Sequence, residues 1–527
     1  MMHSSSITEN LPGLKSLIRR HRSGRTSKTG ANGEVSLLSR LVDVFLRTWD
    51  LGFTSFGGPP VHFRILHERF VEGKTGEKWV DEQTYQELFA ICQALPGPGS
   101  TKMVFCLALL HAGFIPAIVT FLIWSLPGAI TMYALALGVQ HINEVLPRPV
   151  YGLLSGMNAS TVGIIALAAV QLADKAIKDK FSRILVVFGA CAGMCYNALW
   201  YFPVLMLIGG IAAVIWYGWM LQSIGKLKAK IKRRKSNTES QVEEASVENS
   251  VALEDRVGPS DTSSIQRRNV TATTMPVPGS KPTQNSQLEQ ELQQVQPDIH
   301  QNHSIKVRVG IVIAVVFFAS FIGVLVGRGV KASPDITLDL FANMYLAGTI
   351  IFGGGPVVIP LLRSYVVGPG WVSGRDFLLG LAMIQAWPGP NFNFAVYLGA
   401  LTLQASPYPT VLGAILGFLG IFIPGITLAV VVQSFWRVLR KYKWVIDLLH
   451  GLNTTAVGLV FTAVYRLWNI GYLTPETTTG QSLALDPWWV VVATATYAES
   501  AWFGVPPPAA IVVGAVLGLC WYGVVNS

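Results

Sequence analysis

Two short runs in this sequence combine helix breakers with hydrogen-bond donors. Pro96-Gly97-Pro98 is followed by Gly99, Ser100, Thr101 and Lys102, and Pro388-Gly389-Pro390 is followed by Asn391 and Asn393. Gln93 and Gln385 each stand three residues ahead of the first proline of their run. Both runs interrupt apolar stretches. Proline removes a backbone donor and breaks the helical ladder, and glycine permits turns that other residues resist. A helix restarting after the second proline presents unpaired N–H groups and about half a positive charge at its first turn, an arrangement that binds anions. The chemistry expected is therefore anion capture rather than bond making. There is no HExxH, no GxSxG and no phosphate-cradling loop, which argues against an enzyme. The plainer alternatives are that the prolines only kink packed helices and that the glutamines satisfy the carbonyls the break frees. Lys102 has no cationic counterpart, because Phe394 occupies its place. An ammonium within a membrane is costly and usually has a purpose, although snorkelling to an interface is the competing reading.

The pairing of these runs extends along the chain. Phe56-Gly57-Gly58-Pro59 returns as Phe352-Gly353-Gly354-Gly355-Pro356, Trp79-Val80 as Trp371-Val372, Pro127-Gly128 as Pro424-Gly425, and Gly156-Met157-Asn158-Ala159 as Gly451-Leu452-Asn453-Thr454. The offset stays between 292 and 297 residues. The glycine–proline runs Gly57, Gly58, Pro59 and Gly353, Gly354, Gly355, Pro356 end the first helix of each copy and are candidate hinges or gates, or else simple caps. A duplicated unit with breakers at matching depth is the pattern expected of a transporter.

Charged residues make up 13% of the chain and hydrophobic ones 51%, with a mean hydropathy of +0.44. A soluble chain would carry about 25% charged residues, so the expected fold is an all-α polytopic membrane protein. Residues 1–36 read as a basic cytoplasmic tail and 37–225 as the first half, with apolar segments near 37–56, 86–112, 114–140, 150–172, 184–200 and 202–222. Residues 226–304 form a polar linker expected to be disordered, and 305–330 a connecting transmembrane helix. The second half, 337–527, has segments near 337–353, 376–405, 409–436, 450–468, 488–503 and 505–525. Residues 60–80 are charged and read as an exterior loop. Counting each broken segment as one crossing gives about 13 spans; a re-entrant pair at the break would change that count. No cleavable signal peptide is visible, so the first apolar helix is expected to direct insertion. The net charge of +10 follows the tail and linker rather than any nucleic-acid-binding motif. The five cysteines lie in apolar stretches without histidine or acid at ligand spacing, so neither a metal nor a cofactor is expected.

Loop charge orients the halves. Lys175, Lys178, Lys180 and Arg183 follow the fourth segment of the first copy, whereas residues 469–487 have no Lys or Arg. After the third segment the pattern reverses, with only Arg148 in the first copy but Arg437, Arg440, Lys441 and Lys443 in the second. The two copies therefore prefer opposite orientations and form an inverted repeat.

Taken together, the runs from Phe56 through His62 and Pro98, and from Phe352 through Pro390, resemble the chromate ion transporter family in its long, two-domain form. The resemblance covers most of residues 40–222 and 337–525. It implies transport of chromate, a tetrahedral dianion, with sulfate as a competitor, and two halves of opposed topology. It marks Gly57, Gly58, Pro59, His62, Pro96, Gly97, Pro98, Gly353, Gly354, Pro388, Gly389 and Pro390 as family positions. The function expected is secondary transport of chromate, sulfate or related oxyanions across a membrane, expected to be the plasma membrane. A carrier or channel for another oxyanion is the alternative, and a membrane enzyme or scaffold a more distant one. The partners expected are the oxyanion and the bilayer, with proton coupling and a homodimer as further options. Asp50, Glu87 and Glu499 are the candidate coupling acids. If the charge rule holds, single cysteines at 226–235 and 437–443 label with an impermeant reagent only from the cytoplasmic side, and those at 469–487 only from outside. Labelling of 437–443 from outside while 226–235 stay protected contradicts the inverted repeat.

Overall fold

A computed structural model describes residues 36–74, 76–141, 146–196, 201–220, 307–330, 335–351, 355–439 and 441–525. The basic tail before Ser36, the linker with its Lys226–Lys235 cluster, Gly353 and Gly354 lie outside the described residues. Residues up to 212 and from 301 onward make one compact unit, and residues 213–300 a second. Of the second unit, residues 213–220 are described, as the last turn of one helix and a π-helical turn, Trp216–Met220.

The first half runs α1 (Leu37–Thr48), α2 (Leu51–Thr54), α3 (Gly58–Phe70), α4 (Glu82–Ala94), α5 (Gly99–Ala112), α6 (Phe114–Val139), α7 (Arg148–Ala176), α8 (Lys180–Cys195) and α9 (Tyr201–Ile215). Then comes α10 (Val307–Val330). The second half repeats the order as α11 (Ile336–Ile350), α12 (Gly355–Val366), α13 (Gly374–Ala386), a 3-10 turn (Asn391–Asn393) leading into α14 (Phe394–Thr402), α15 (Thr410–Leu439), α16 (Lys443–Trp468), α17 (Pro487–Trp502) and α18 (Pro507–Val525). Among the described residues seven helices are long and apolar enough to cross a membrane: α6, α7, α9 with its π turn, α10, α15, α16 and α18. This is a multi-pass, all-helical membrane protein. On α10 most of the apolar surface is exposed, as suits a helix facing lipid.

Three sequence expectations are corrected here. The stretch 37–56 is not one helix. It breaks at Trp49-Asp50, where both Asp50 oxygens accept from Arg69 at 2.6 and 2.7 Å. Arg69 also donates to the Arg47 carbonyl at 3.0 Å, so α3 is drawn back to the end of α1. Residues 60–80 are accordingly no exterior loop. Phe63, Leu66 and Phe70 recur at helical spacing and are buried, as are Trp79 and Val80; this periodicity is the core-facing stripe of α3.

The third correction concerns the broken segments. The 13 residues of α13 and the 9 of α14 run side by side rather than end to end. Tyr397 Oη donates to the Asp376 carbonyl at 2.7 Å, and the Phe377 and Phe394 rings lie 5.0 Å apart. In the first half the start of α5 lies back against α4, with a Cβ on Gly99 falling 3.6 Å from the Cys92 carbonyl oxygen. Each run is thus the tip of a helical hairpin. A helix of 13 or 14 residues rises about 20 Å, short of the roughly 30 Å hydrocarbon core.

The halves are interleaved. α17 and α18 pack on α7 of the first half, while α8 and α9 pack on α16 of the second. Small residues set these approaches. A Cβ on Gly156 would strike the Gly514 carbonyl, and one on Gly458 would strike the Val186 carbonyl. Ser160 and Thr496 hydroxyls bond at 3.0 Å across the first seam, and Thr462 donates to the Ala190 carbonyl at 3.0 Å across the second. Gly156→Val is expected to lower the thermal midpoint of the detergent-purified protein, consistent with about 1–3 kcal/mol for overpacking. Gly323→Val, where nothing lies within 4 Å, is expected to leave the midpoint unchanged.

Candidate functional site

The two hairpin tips are built alike. Gly97 and Gly389 both have φ of 92°, in the left-handed region that favours glycine. Pro98 and Pro390 follow in extended conformation, at φ −71° and −74°, and stand as N-caps of the restarted helices. Ser100, Thr101 and Lys102 fall in the first turn of α5. In the second half Asn391 and Asn393 form the 3-10 turn before α14. All of α14 is buried, and so is all of α5 except Leu110 and His111.

Each tip docks on the other half. Gly97 N–H donates to the Ile351 carbonyl at 2.7 Å, and Gly389 N–H donates to the Ser55 carbonyl at 2.8 Å. Ile351 ends α11, which opens the second half, and Ser55 ends α2, the short helix that follows α1 in the first. The same bond is made twice with the halves exchanged. Packing repeats the exchange. A Cβ on Gly97 would sit 2.7 Å from Gly425 Cα, and the Gly389 position lies against the Trp124 and Gly52 carbonyls. Asn393 Nδ2, pressed against Gly128, donates to the Ser125 carbonyl at 2.9 Å. The Pro127-Gly128 and Pro424-Gly425 steps therefore receive the tips of the opposite halves.

His62 ties the first half's part of this junction together. Its Nε2 lies 3.0 Å from the Ser55 carbonyl, which can only accept, so Nε2 carries a proton. In the neutral ring Nδ1, at 3.1 Å, then accepts from the Ser100 hydroxyl. Trp124 Nε1 donates to Thr101 Oγ1 at 3.2 Å, and the His62 and Trp124 rings meet edge to face at 5.1 Å. Gly57 and Gly58, at φ 97° and 75°, make the turn that delivers His62, with Pro59 at the start of α3. In the second half Gly355 opens α12, followed by Pro356.

Lys102 is fully buried, and its ammonium donates to the Leu95 carbonyl at 2.6 Å and the Pro96 carbonyl at 2.9 Å. It holds the carbonyls that the break frees, a task sequence reasoning had offered to Gln93. Phe394, at the matching place, stacks among Phe377 and Tyr397 instead. Gln385 Oε1 accepts from Asn391 at 3.1 Å. Four buried polar atoms at the second tip have no hydrogen-bond partner among the described residues: Gln385 Nε2, Asn393 Oδ1, Ser55 Oγ and Ser125 Oγ. Gln93 faces a cavity of about 390 Å³ between α4, α7, α15 and α16, a size typical of small-molecule sites. Lys175, Lys178, His450 and Asn453 also line it. In the sequence the lysines speak only to topology and Asn453 only to the repeat; the fold brings them to Gln93. Of the candidate coupling acids, Asp50 is held by Arg69. Glu87 Oε2 accepts from Trp436 Nε1 at 3.2 Å, and Glu499 Oε1 is buried with no hydrogen-bond partner among the described residues. No cluster of metal-ligating side chains occurs among the described residues.

Interlocked, helix-ending turns inside a polytopic bundle are the architecture of membrane carriers. Residues 42–215 and 338–519 match the chromate transporter family, and the chain belongs to that family. It is 21% identical over 441 residues to the chromate transport protein of Pseudomonas aeruginosa, covering 84% of each chain. A probable chromate transport protein of Synechococcus elongatus is 22% identical over 435 residues, 82% of this chain and 84% of its own. The chromate transport protein of Cupriavidus metallidurans is 30% identical over 140 residues, 27% of this chain and 33% of its own. No solved structure matches.

Replacing Lys102 by Met removes the donor from two buried carbonyls. Each carbonyl left unpaired costs about 1–3 kcal/mol. The variant is expected to unfold at a clearly lower temperature in detergent, followed by tryptophan fluorescence.

Proposed function

We propose that this protein is a secondary transporter that carries chromate, and sulfate in competition with it, across a membrane, and that the anion is held where the two hairpin tips interlock. The observation that carries the reading is the reciprocal docking of Gly97 on Ile351 and Gly389 on Ser55. It brings both helix starts, Gly99 to Lys102 and Asn391 to Asn393, under the control of one junction. A dianion leaving water loses many kcal/mol of hydration unless donors replace it. First-turn N–H groups of both helices supply donors and partial charges of about one half each. Lys102 stands behind the first of these turns and adds its charge, while Gln385 Nε2 is an unspent donor beside the second. Gln93, three residues ahead of Pro96, lines the cavity.

An inverted arrangement of the halves makes the junction reachable from either side in turn, as alternating access requires. The Gly57-Gly58-Pro59 and Gly355-Pro356 turns are the hinges in this reading. Glu87, one residue along from the cavity-lining Gln86, is the carboxylate best placed for proton coupling. Uptake that ignores an imposed pH gradient excludes that part.

Pro98→Ala and Pro390→Ala allow the helix to continue and withdraw free N–H groups from the turn. Both are expected to cut initial-rate chromate uptake into proteoliposomes at least tenfold at matched incorporation. Normal uptake by both variants places the site elsewhere. Uptake of another oxyanion, with chromate and sulfate neither carried nor competing, replaces the substrate.

A further inference from the structure

We propose that the cavity between α4, α7, α15 and α16 is an anion-recruitment site, in which Lys175 and Lys178 gather a tetrahedral dianion at the mouth and Gln93 and Asn453 pass it inward. The inference rests on the transport reading above and names the entrance to its site. Gln86, Lys175 and Lys178 are exposed at the rim, Gln93, His450 and Asn453 are half-buried, and Leu172, Ala176 and Val457 form a buried apolar floor. Neither lysine has an ion-pair partner among the described residues. Asp174, beside Lys175 on α7, is exposed but does not line the cavity, and the other carboxylates nearby are engaged or set back. Asp179 caps α8 through Ser182, Glu87 is bonded to Trp436, and Asp447, near His450, does not line the cavity. Two cations over a low-dielectric floor concentrate anions locally. Their effect falls within a Debye length of about 8 Å at physiological salt, which the exposed rim allows and a deep site would not show.

The duplication supplies a control within the same chain. Asn158 matches Asn453, and Gln385 matches Gln93, yet these mates are covered. At the same offset, Ile470 and Leu473 replace Lys175 and Lys178. Leu473 exchanges two hydrogen bonds with the Ser155 hydroxyl, at 3.0 and 3.2 Å, and Asn158 Nδ2 donates to the Gly471 carbonyl at 3.0 Å. Arg363 secures the segment further along by donating to the Thr479 carbonyl at 3.3 Å. One copy of the cleft is stoppered by a segment without Lys or Arg; the other is open and rimmed with lysine. Loop charge assigns the open one to the cytoplasmic face.

The test is chromate and sulfate uptake by the reconstituted full chain carrying Lys175→Gln and Lys178→Gln together, at low and high ionic strength. The expected result is a KM raised several-fold with kcat retained, and a KM that no longer rises with salt as it does in the parent. An unchanged KM and salt dependence, or a loss confined to kcat, overturns the proposal. A second readout does not depend on transport. Asn453→Cys, in a chain with Cys191, Cys195 and Cys520 changed to Ser, is titrated with a membrane-impermeant maleimide. Sulfate is expected to slow its modification when the lysines are present and not when they are Gln; equal protection in both overturns the recruitment site. Lysine-dependent protection without oxyanion uptake by the parent chain keeps the site and removes the transport reading.

Discussion

Two backbone hydrogen bonds organise this molecule: Gly97 N–H to the Ile351 carbonyl and Gly389 N–H to the Ser55 carbonyl. Backbone that leaves a helix inside a bilayer must find its partners within the protein. Here each half provides the acceptor for the other. A break in one half is therefore tolerable only because the second half is present, and the reverse holds equally. The donors are glycine N–H groups at φ 92°, so the geometry also fixes the residue type. A Cβ at Gly97 would press on Gly425 and alter the tip's fit as well as its conformation.

The surrounding fold serves that junction. α5 and α14 are buried almost throughout because helices of both halves enclose them. Interleaving of α7 with α17 and α18, and of α16 with α8 and α9, binds the halves by close small-residue contacts. Such seams let packed helices approach without side chains between them. His62 and Lys102 complete the first tip, one bridging Ser55 to Ser100 and the other donating hydrogen bonds to the freed carbonyls. The second tip lacks both groups and carries amide and hydroxyl atoms without a partner among the described residues. The two tips share a backbone conformation and differ in chemistry.

Much of this was legible from residue order. Repeated breakers announced the two tips, and apolar length announced the long helices, because both signals are local. The hairpins were not legible, since a Pro-Gly-Pro run looks the same whether the chain continues forward or doubles back. Only contacts such as Tyr397 to Asp376 decide it. The buried stripe of α3 was masked by its charged face, where Arg64, Glu68 and Lys74 form surface ion pairs. Lys102 was visible as an unusual intramembrane charge, but its partners are carbonyls, which sequence does not display. The cavity joins Gln93 to residues from α7, α15 and α16, a neighbourhood no motif encodes.

The central claim is that the two tips hold one anion as a unit. Equilibrium binding of chromate to the purified chain tests it most directly, with Gly97→Ala, Gly389→Ala and the double variant compared with the parent. The account predicts saturable binding to the parent, a strong loss in each single variant, and a double variant no weaker than the worse single one. Groups that act as a unit are non-additive in this way. Losses that simply add, or binding that survives in both single variants of folded protein, would contradict a shared site.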